Sequence, residues 1–360
     1  MKKILIIGMY NQLGGIESFV MNFYRRLDRK KFEVGFISMF ETMAYEEEIK
    51  SNGDKIYYVT NVKKNPIEYF KQIKKIINDE KYDVIHINIL SAANILHILA
   101  AKRTNAKVVI HSHNAGTPKG LVRKVLHFIN KKIVQRKGDT LLACSDKAGK
   151  WLFDDKKFVV INNAIDVEKF KFNENIRAEM REKYNLNDEI VFGHVGRFEE
   201  QKNHDFLIDV FECLKKENSK LLLIGKGSLK NNISEKVKSK NLEENVIFVD
   251  EVTDINRYYQ MIDYFVLPSL FEGLPVVAVE AQAAGLKCFL SANISEEVNI
   301  NGNVLFFDIN EGCEKFANNI LNNLESEDRI ELFNKVKMSK FNIENEVKKL
   351  EQVYEGEKNE

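Results

Sequence analysis

Residues 268–285 read PSLFEGLPVVAVEAQAAG, from Pro268 to Gly285, and the rest of the chain is read outward from them. An apolar run, Tyr264 to Leu267, precedes this stretch and predicts a strand; a Gly-Leu-Pro turn then leads into a helix of small residues. A helix that starts above the end of a strand aims free backbone N–H groups at whatever lies there, which makes an anion site. Two carboxylates bracket the helix start, Glu272 in the loop and Glu280 eight positions on. Carboxylates accept hydrogen bonds without donating, so a pair beside a phosphate cradle suits the vicinal hydroxyls of two sugars. The plainer alternative is a solvated helix residue and a loop charge.

With 360 residues, 44% of them hydrophobic, the chain can bury two ordinary cores, and only four prolines argue against long linkers. Cys144, Cys213, Cys288 and Cys313 are far apart and set among apolar neighbours, with no CxxC pair, and read as buried free thiols of a reducing cytoplasm. The start, MKKILIIGMYNQ, is too short in apolar residues for a signal peptide, and no run reaches the roughly 20 residues a span needs. The net charge of +1 hides an asymmetry. Lys plus Arg against Asp plus Glu is 29 to 17 over residues 1–166 and 25 to 36 over the rest. Residues 84–138 contain no carboxylate, which predicts an anionic partner for the first half.

Taken in order, Lys3 to Gly8 reads as a buried strand that leads through Gly14-Gly15 into a helix. The glycine pair allows close backbone approach at a helix N-terminus, but it is not GxGxxG, which disfavours a dinucleotide site. Strands near 32–38, 55–59, 82–88, 107–111 and 140–144 alternate with helices, which implies a parallel sheet covered on both faces. His86, His111 and His113 fall near strand ends, where ligands bind in such sheets. A metal reading of His111 and His113 is poor, because alternate strand residues face opposite ways. Residues 119–137 place Leu121, Val122, Val125, Ile129 and Ile133 on one helical stripe beside a basic face; this is a core-packed helix or a membrane-surface helix. A second alternation begins with Ile190 to Gly196. Arg197 and Lys202 follow in its loop, two cations able to neutralise a diphosphate without a metal.

These stretches together resemble the retaining glycosyltransferases of family four, over nearly the whole chain. Phe271-Glu272-Gly273-Leu274-Pro275 with Glu280-Ala281 matches the family's Glu, seven residues, Glu signature. Arg197 and Lys202-Asn203 match its Gly-Arg and Lys-Asn signature, and residues 159–166, VVINNAID, match its domain-exit stretch with Ala164 in place of Gly. The resemblance implies an α/β GT-B fold of two doubly wound Rossmann-like domains facing across a cleft. Residues 1–166 would form the acceptor-binding domain, 167–340 the nucleotide-sugar domain, and 341–360 a helix crossing back.

The resemblance further implies a hexosyltransferase that retains configuration, acting on a nucleotide sugar, UDP-linked in the first instance. Arg197 and Lys202 would hold the diphosphate, and Glu272 the transferred sugar with Gly273 and Leu274. Glu280 would hold the ribose, His113 would lie near the anomeric carbon, and Gly14 and Gly15 would lie near phosphate and acceptor. Asp250 stands where the family has Gly beside the base, so the base stays open. No Asp-x-Asp pair is present, and neither cofactor nor metal is expected. The expected partners are a glycan or polyprenyl-linked acceptor and the anionic cytoplasmic face of the cell membrane. A nucleic-acid platform is not expected, for lack of interleaved aromatic and basic residues. Two alternatives remain in view: a GT-B nucleotide-sugar epimerase, and an inactive sugar-binding or scaffold subunit.

Overall fold

A computed structural model of the chain describes residues 1–356 apart from 13, 115, 117, 119, 215–217 and 326. The chain divides into unit 1, Met1–Ala164 with Ile343–Glu360, and unit 2, Ile165–Asn342. The divisions lie two residues from the 166/167 and 340/341 positions read from the sequence.

Unit 1 is built on a parallel sheet of β1 (Lys2–Ile7), β2 (Phe32–Ser38), β3 (Lys55–Tyr58), β4 (Val84–Ile89), β5 (Lys107–Ser112), β6 (Thr140–Ala143) and β7 (Val159–Val160), in the order β3-β2-β1-β4-β5-β6-β7. The helices are α1 (Gly15–Tyr24), α2 (Glu46–Ser51), α3 (Pro66–Asp79), α4 (Leu96–Ala101), α5 (Leu121–Lys137) and α6 (Asp146–Phe153). Both sheet faces are buried, so strand residues alternate between two cores. Ile4 and Ile6 join Phe19, Phe23 and Phe36 on one face, while Leu5 and Ile7 join Ile73, Ile85 and Ile98 on the other. Local chemistry fixes two of the helix starts. Asn65 caps α3 at Glu68 N with Pro66 in the first turn, and Ser145 caps α6 at Ala148 N. At the end of β1 the backbone requires glycine: Gly8 has φ +112°, and a Cβ there would lie 2.1 Å from Asn88 O.

The helix α14 (Ile343–Glu355) belongs to unit 1 although it follows all of unit 2 in sequence. Its three- and four-residue spacing buries Ile343, Val347, Leu350, Val353 and Tyr354 in the α1 core. Glu346, fully buried, accepts from Asn162 N at 2.7 Å and Asn162 Nδ2 at 3.0 Å. A buried carboxylate tied to two donors fixes where the helix docks.

Unit 2 repeats the plan. Its parallel sheet comprises β8 (Ile190–Val195), β9 (Ser219–Ile224), β10 (Val246–Val249), β11 (Tyr264–Leu267), β12 (Lys287–Ser291) and β13 (Val304–Phe307), in the order β10-β9-β8-β11-β12-β13. Its helices are α7 (Glu174–Lys183), α8 (His204–Leu214), α9 (Lys230–Ser239), α10 (Ile255–Met261), α11 (Val276–Ala283), α12 (Cys313–Leu321) and α13 (Arg329–Lys337). In both sheets the winding reverses once, between β1 and β4 and between β8 and β11. That switch point is where open α/β sheets bind ligands, beyond the carboxyl ends of the strands.

The cysteines are free, but they are not all buried as expected: Cys288 is buried, Cys144 and Cys313 are half-buried, and Cys213 is exposed. Cys213 lies on the outer side of α8, whose inner side carries Phe211 and Leu214. Apolar neighbours in sequence do not bury a residue whose helical position faces away.

Candidate functional site

In unit 2 the two loops that flank the switch point are joined. The loop after β8 carries Arg197 and Lys202, and the loop after β11 carries Glu272. Lys202 Nζ lies 2.6 Å from Glu272 Oε1. Ser269 Oγ donates to the same oxygen at 2.9 Å, and Gln201 Nε2 donates to Oε2 at 3.2 Å. Leu270 N donates to Gln201 O at 2.9 Å, which holds the backbones together. Beneath them His194 Nδ1 donates to Val266 O at 2.8 Å, tying β8 to β11. A Cβ on Gly196 would sit 3.1 Å from both the Lys202 stem and His194 Nε2, so glycine there lets the lysine lie close over the strand end. Arg197 is exposed and has no side-chain ion pair among the described residues, leaving its guanidinium available to an anion.

Glu280 lies one helix away, on α11, whose first turn begins after Pro275 with Gly273 and Leu274 just before it. The Tyr259 hydroxyl donates to Glu280 Oε2 at 3.0 Å. Burial pushes the Glu280 carboxyl up to about 7, against the lowering effect of that hydroxyl. Asp250, where the family has Gly, pairs with Lys230 at 2.5 Å. Sequence reasoning missed Tyr259, Ser269 and Gln201. Ser269 and Gln201 adjoin the motifs, but nothing in the sequence marks Tyr259, which comes from α10.

In unit 1 the structure places His113 just beyond β5, with Nε2 2.8 Å from Asn88 Oδ1. Its ring lies 4.1 Å from that of His111, which meets His86 at 3.1 Å, and His86 Nδ1 lies 2.6 Å from the Tyr354 hydroxyl. Burial drives His113 and His86 down to about 3 and His111 well below its usual range. The whole row is therefore neutral, and His113 can offer only a dipole or a hydrogen bond. Asn88, another residue missed from sequence, fixes the His113 ring; its signal was its place at the end of a buried strand.

Gly14 and Gly15 are both exposed at the start of α1. The buried Glu17 carboxylate shares that N-terminus: Oε1 accepts from Tyr10 N at 2.8 Å, and a Cβ on Gly14 would meet Oε2 at 2.7 Å. A phosphate there would have to share the turn with that carboxylate.

Helix α5 departs from a core-packed helix. Of the apolar side chains in its first three turns, Phe128 is 80% exposed, Leu121 77%, Val122 72% and Ile129 59%. Burial is confined to Val134 and Gln135 in the last turns. Lys131 and Lys132 pair with Asp154, at 2.6 and 3.2 Å, while Arg123, Lys124, Arg136 and Lys137 are exposed. Lys119 lies outside the described residues. No described helix is long and apolar enough to cross a membrane.

Comparison with known proteins agrees with this geometry. Residues 13–169 match Glycosyltransferase Family 4, and residues 176–338 match Glycosyl transferases group 1. The putative glycosyltransferase EpsF of Bacillus subtilis is 32% identical over 82% of this chain and 81% of its own. The UDP-Gal:alpha-D-GlcNAc-diphosphoundecaprenol alpha-1,3-galactosyltransferase of Escherichia coli is 27% identical over 84% of this chain and 80% of its own. Among solved structures, Anabaena HepE in complex with UDP superposes with a TM-score of 0.83 at 16% identity, covering 99% of this chain and 100% of that one. With two Rossmann-like sheets, the joined loops at 197–202 and 268–275, and these relatives, the chain belongs to the family-four glycosyltransferases of GT-B fold.

Proposed function

We propose that this glycosyltransferase moves a hexose from a UDP-linked donor, with retention and without a metal, to a hydroxyl of a lipid-linked glycan in cell-surface polysaccharide synthesis. The observation that carries the reading is the meeting of Lys202 and Glu272 at the unit 2 switch point, with Arg197 unpaired in the same loop and Glu280 on the adjoining helix. A diphosphate needs cations and free N–H groups, a sugar needs acceptors, and these groups supply both. A solved relative holding UDP and a relative named for a UDP-sugar and a diphosphoundecaprenol acceptor support the donor and acceptor classes.

In the reaction, the bond between the anomeric carbon and the diphosphate oxygen breaks, and a bond from the acceptor oxygen forms on the same face. The acceptor proton passes to the leaving phosphate. Arg197 and Lys202 stabilise the charge gathering on that phosphate. Glu272, already fed by Lys202, Ser269 and Gln201, has lone-pair capacity left for a sugar hydroxyl. Glu280 takes the ribose hydroxyls. The neutral His113 orients the sugar and lays no positive charge against a carbon that is itself becoming positive.

The acceptor is reached at the cytoplasmic face of the membrane through α5, whose exposed Leu121, Val122, Phe128 and Ile129 stand beside Arg123 and Lys124. Each cation near an anionic leaflet contributes about 1 kcal/mol, and apolar insertion adds to that. Cosedimentation with vesicles of graded anionic content tests this face; wild type should bind, and Phe128→Ser with Arg123→Gln and Lys124→Gln should not. Incubation with a panel of nucleotide sugars tests the chemistry. Slow release of UDP and free sugar, faster with a lipid-linked acceptor, is expected. Free epimerised nucleotide sugar would point instead to an epimerase, and the absence of both binding and turnover to a scaffold subunit.

A further inference from the structure

The loops that carry Lys202 and Glu272 rise from neighbouring strands, so their separation depends on how β8 and β11 are held at their carboxyl ends. Backbone pairing does not hold them there. Between β8 and β11 it runs through Phe192–Tyr264 and Gly193–Phe265 and stops two residues before either strand ends. On its other side β8 stays paired with β9 to its last residue, Val195 against Ile224, and in unit 1 β1 stays paired with β4 up to Ile7 against Ile87.

Where the pairing stops, a side chain takes over. His194, the next residue of β8, donates from Nδ1 to the carbonyl of Val266, the next residue of β11, at 2.8 Å. A carbonyl only accepts, so the ring hydrogen is on Nδ1 and Nε2 carries a lone pair. Nε2 is buried with no partner among the described residues. It crowds the space over Gly196 together with the Lys202 stem, each 3.1 Å from where a Cβ would stand. His204, the first residue of α8, stands edge-on to that ring at 4.6 Å and is stacked on Phe198 at 4.2 Å. Neither of its nitrogens has a partner among the described residues. Burial, then the charge of Lys202, lowers His204 to about 4, and burial holds His194 well below its usual range. Both rings are thus neutral, and Lys202 finds no counter-charge in this floor; its ammonium is turned to Glu272 instead.

Ring nitrogens buried without partners cost stability, and apolar side chains of similar size would not. Packing therefore does not account for a histidine at 194, whereas the bond to Val266 does. We infer that His194 is a positioning residue: by bridging β8 to β11 where their ladder ends, it sets the place of Lys202 against Glu272, and so against the diphosphate of the donor. Fully buried, it acts through Lys202 and not by touching the donor. The inference rests on the donor site proposed above.

Two substitutions separate this role from packing, with UDP as the probe and calorimetry as the measure. His194→Leu keeps the volume and loses the bond to Val266, whereas His194→Asn keeps a donor near the place of Nδ1 and loses volume. His194→Leu should weaken UDP binding about tenfold, and His194→Asn should stay within about threefold of wild type. Urea midpoints should run the other way, with the Leu variant at least as stable as the Asn variant, because Asn leaves a cavity and Leu does not. Lys202→Ala should itself weaken UDP about tenfold or more, and adding His194→Leu to it should change nothing further. Affinity that follows stability, with the Asn variant weaker than the Leu variant, or a full further loss from His194→Leu in the Lys202→Ala background, would overturn the inference. Wild-type affinity in the Leu variant beside a weakened Lys202→Ala would leave the donor site standing and remove the positioning role alone. If wild type does not bind UDP, or Lys202→Ala binds it as tightly, the donor site fails and the inference falls with it.

Discussion

Lys202 and Glu272 are bound to each other at 2.6 Å, with both side chains largely buried, at 15% and 9% exposure. Each has been assigned to a different part of the donor, the lysine to the diphosphate and the glutamate to the sugar. On the proposed roles, their contact would make one connected unit of the groups that read the two halves of the donor, and preorganised charge is the form in which electrostatic catalysis is most effective.

Removal of either cation should show this. Arg197→Ala and Lys202→Ala are each expected to lower turnover about a hundredfold to a thousandfold while the fold is kept. The losses from Lys202→Ala and Glu272→Ala should be far from additive, since each variant strips the other's partner. Steady-state kinetics on the two single variants and the double variant decide it. Near wild-type turnover in both cation variants would remove them from the mechanism.

Donor affinity should depend on pH through Glu280. Ribose hydroxyls donate, so the nucleotide selects the carboxylate, and with the carboxyl raised to about 7 the affinity should fall as pH drops below that point. The limit is about tenfold per pH unit. Stability runs the other way. The folded value stands above the ordinary 4.5, so this carboxyl's contribution is complete below 4.5 and is lost as pH rises through 7. Glu280→Gln should flatten both profiles, as read by UDP titration and by urea midpoints between pH 5 and 8. An unchanged pH profile in that variant would place the titration elsewhere.

Activity should survive excess chelator. On the proposed reading, Arg197 and Lys202 together with the free N–H groups of a helix start would supply the diphosphate with its counter-charge from the chain itself. Activity abolished by EDTA and restored by Mg²⁺ or Mn²⁺ would contradict this.

Tyr354→Phe should cost about 1–2 kcal/mol of unit 1 stability, because it leaves His86 Nδ1 buried without its 2.6 Å partner. Chemical denaturation measures it. A loss within error would mean that the hydroxyl contributes nothing to the histidine row.

The elements were legible because a doubly wound sheet writes itself in apolar runs. The runs 32–38 and 107–111, read as strands, are β2 and all but the final residue of β5. The pair Glu272 and Glu280 stood out because its spacing brackets a turn and matches the family signature, whereas the spacing alone left a solvated helix residue and a loop charge open. Contacts that cross elements were not. Nothing in the spelling of α10 ties Tyr259 to Glu280, and nothing near Gly14 tells that the Glu17 carboxylate folds back onto the turn. Helical period showed that α5 has an apolar stripe but could not say what it faces; burial shows that Phe128 and Ile129 face outward. Cys213 misled for the same reason, since apolar neighbours in sequence are not neighbours in space.

The place of α14 has a consequence for the order of synthesis. A ribosome delivers residues 165–342 before it delivers the helix that completes unit 1. Unit 2 is continuous and can fold while the chain is still growing, whereas the first sheet waits with Phe19, Phe23 and Phe36 lacking the apolar cover of Val347 and Leu350. Until α14 emerges, His86 also lacks its phenol and Asn162 its carboxylate. A chain that ended just after residue 342 would thus carry a finished unit 2 and an unfinished unit 1, and on the proposed reading such a copy is expected to hold nucleotide sugar without being able to transfer it.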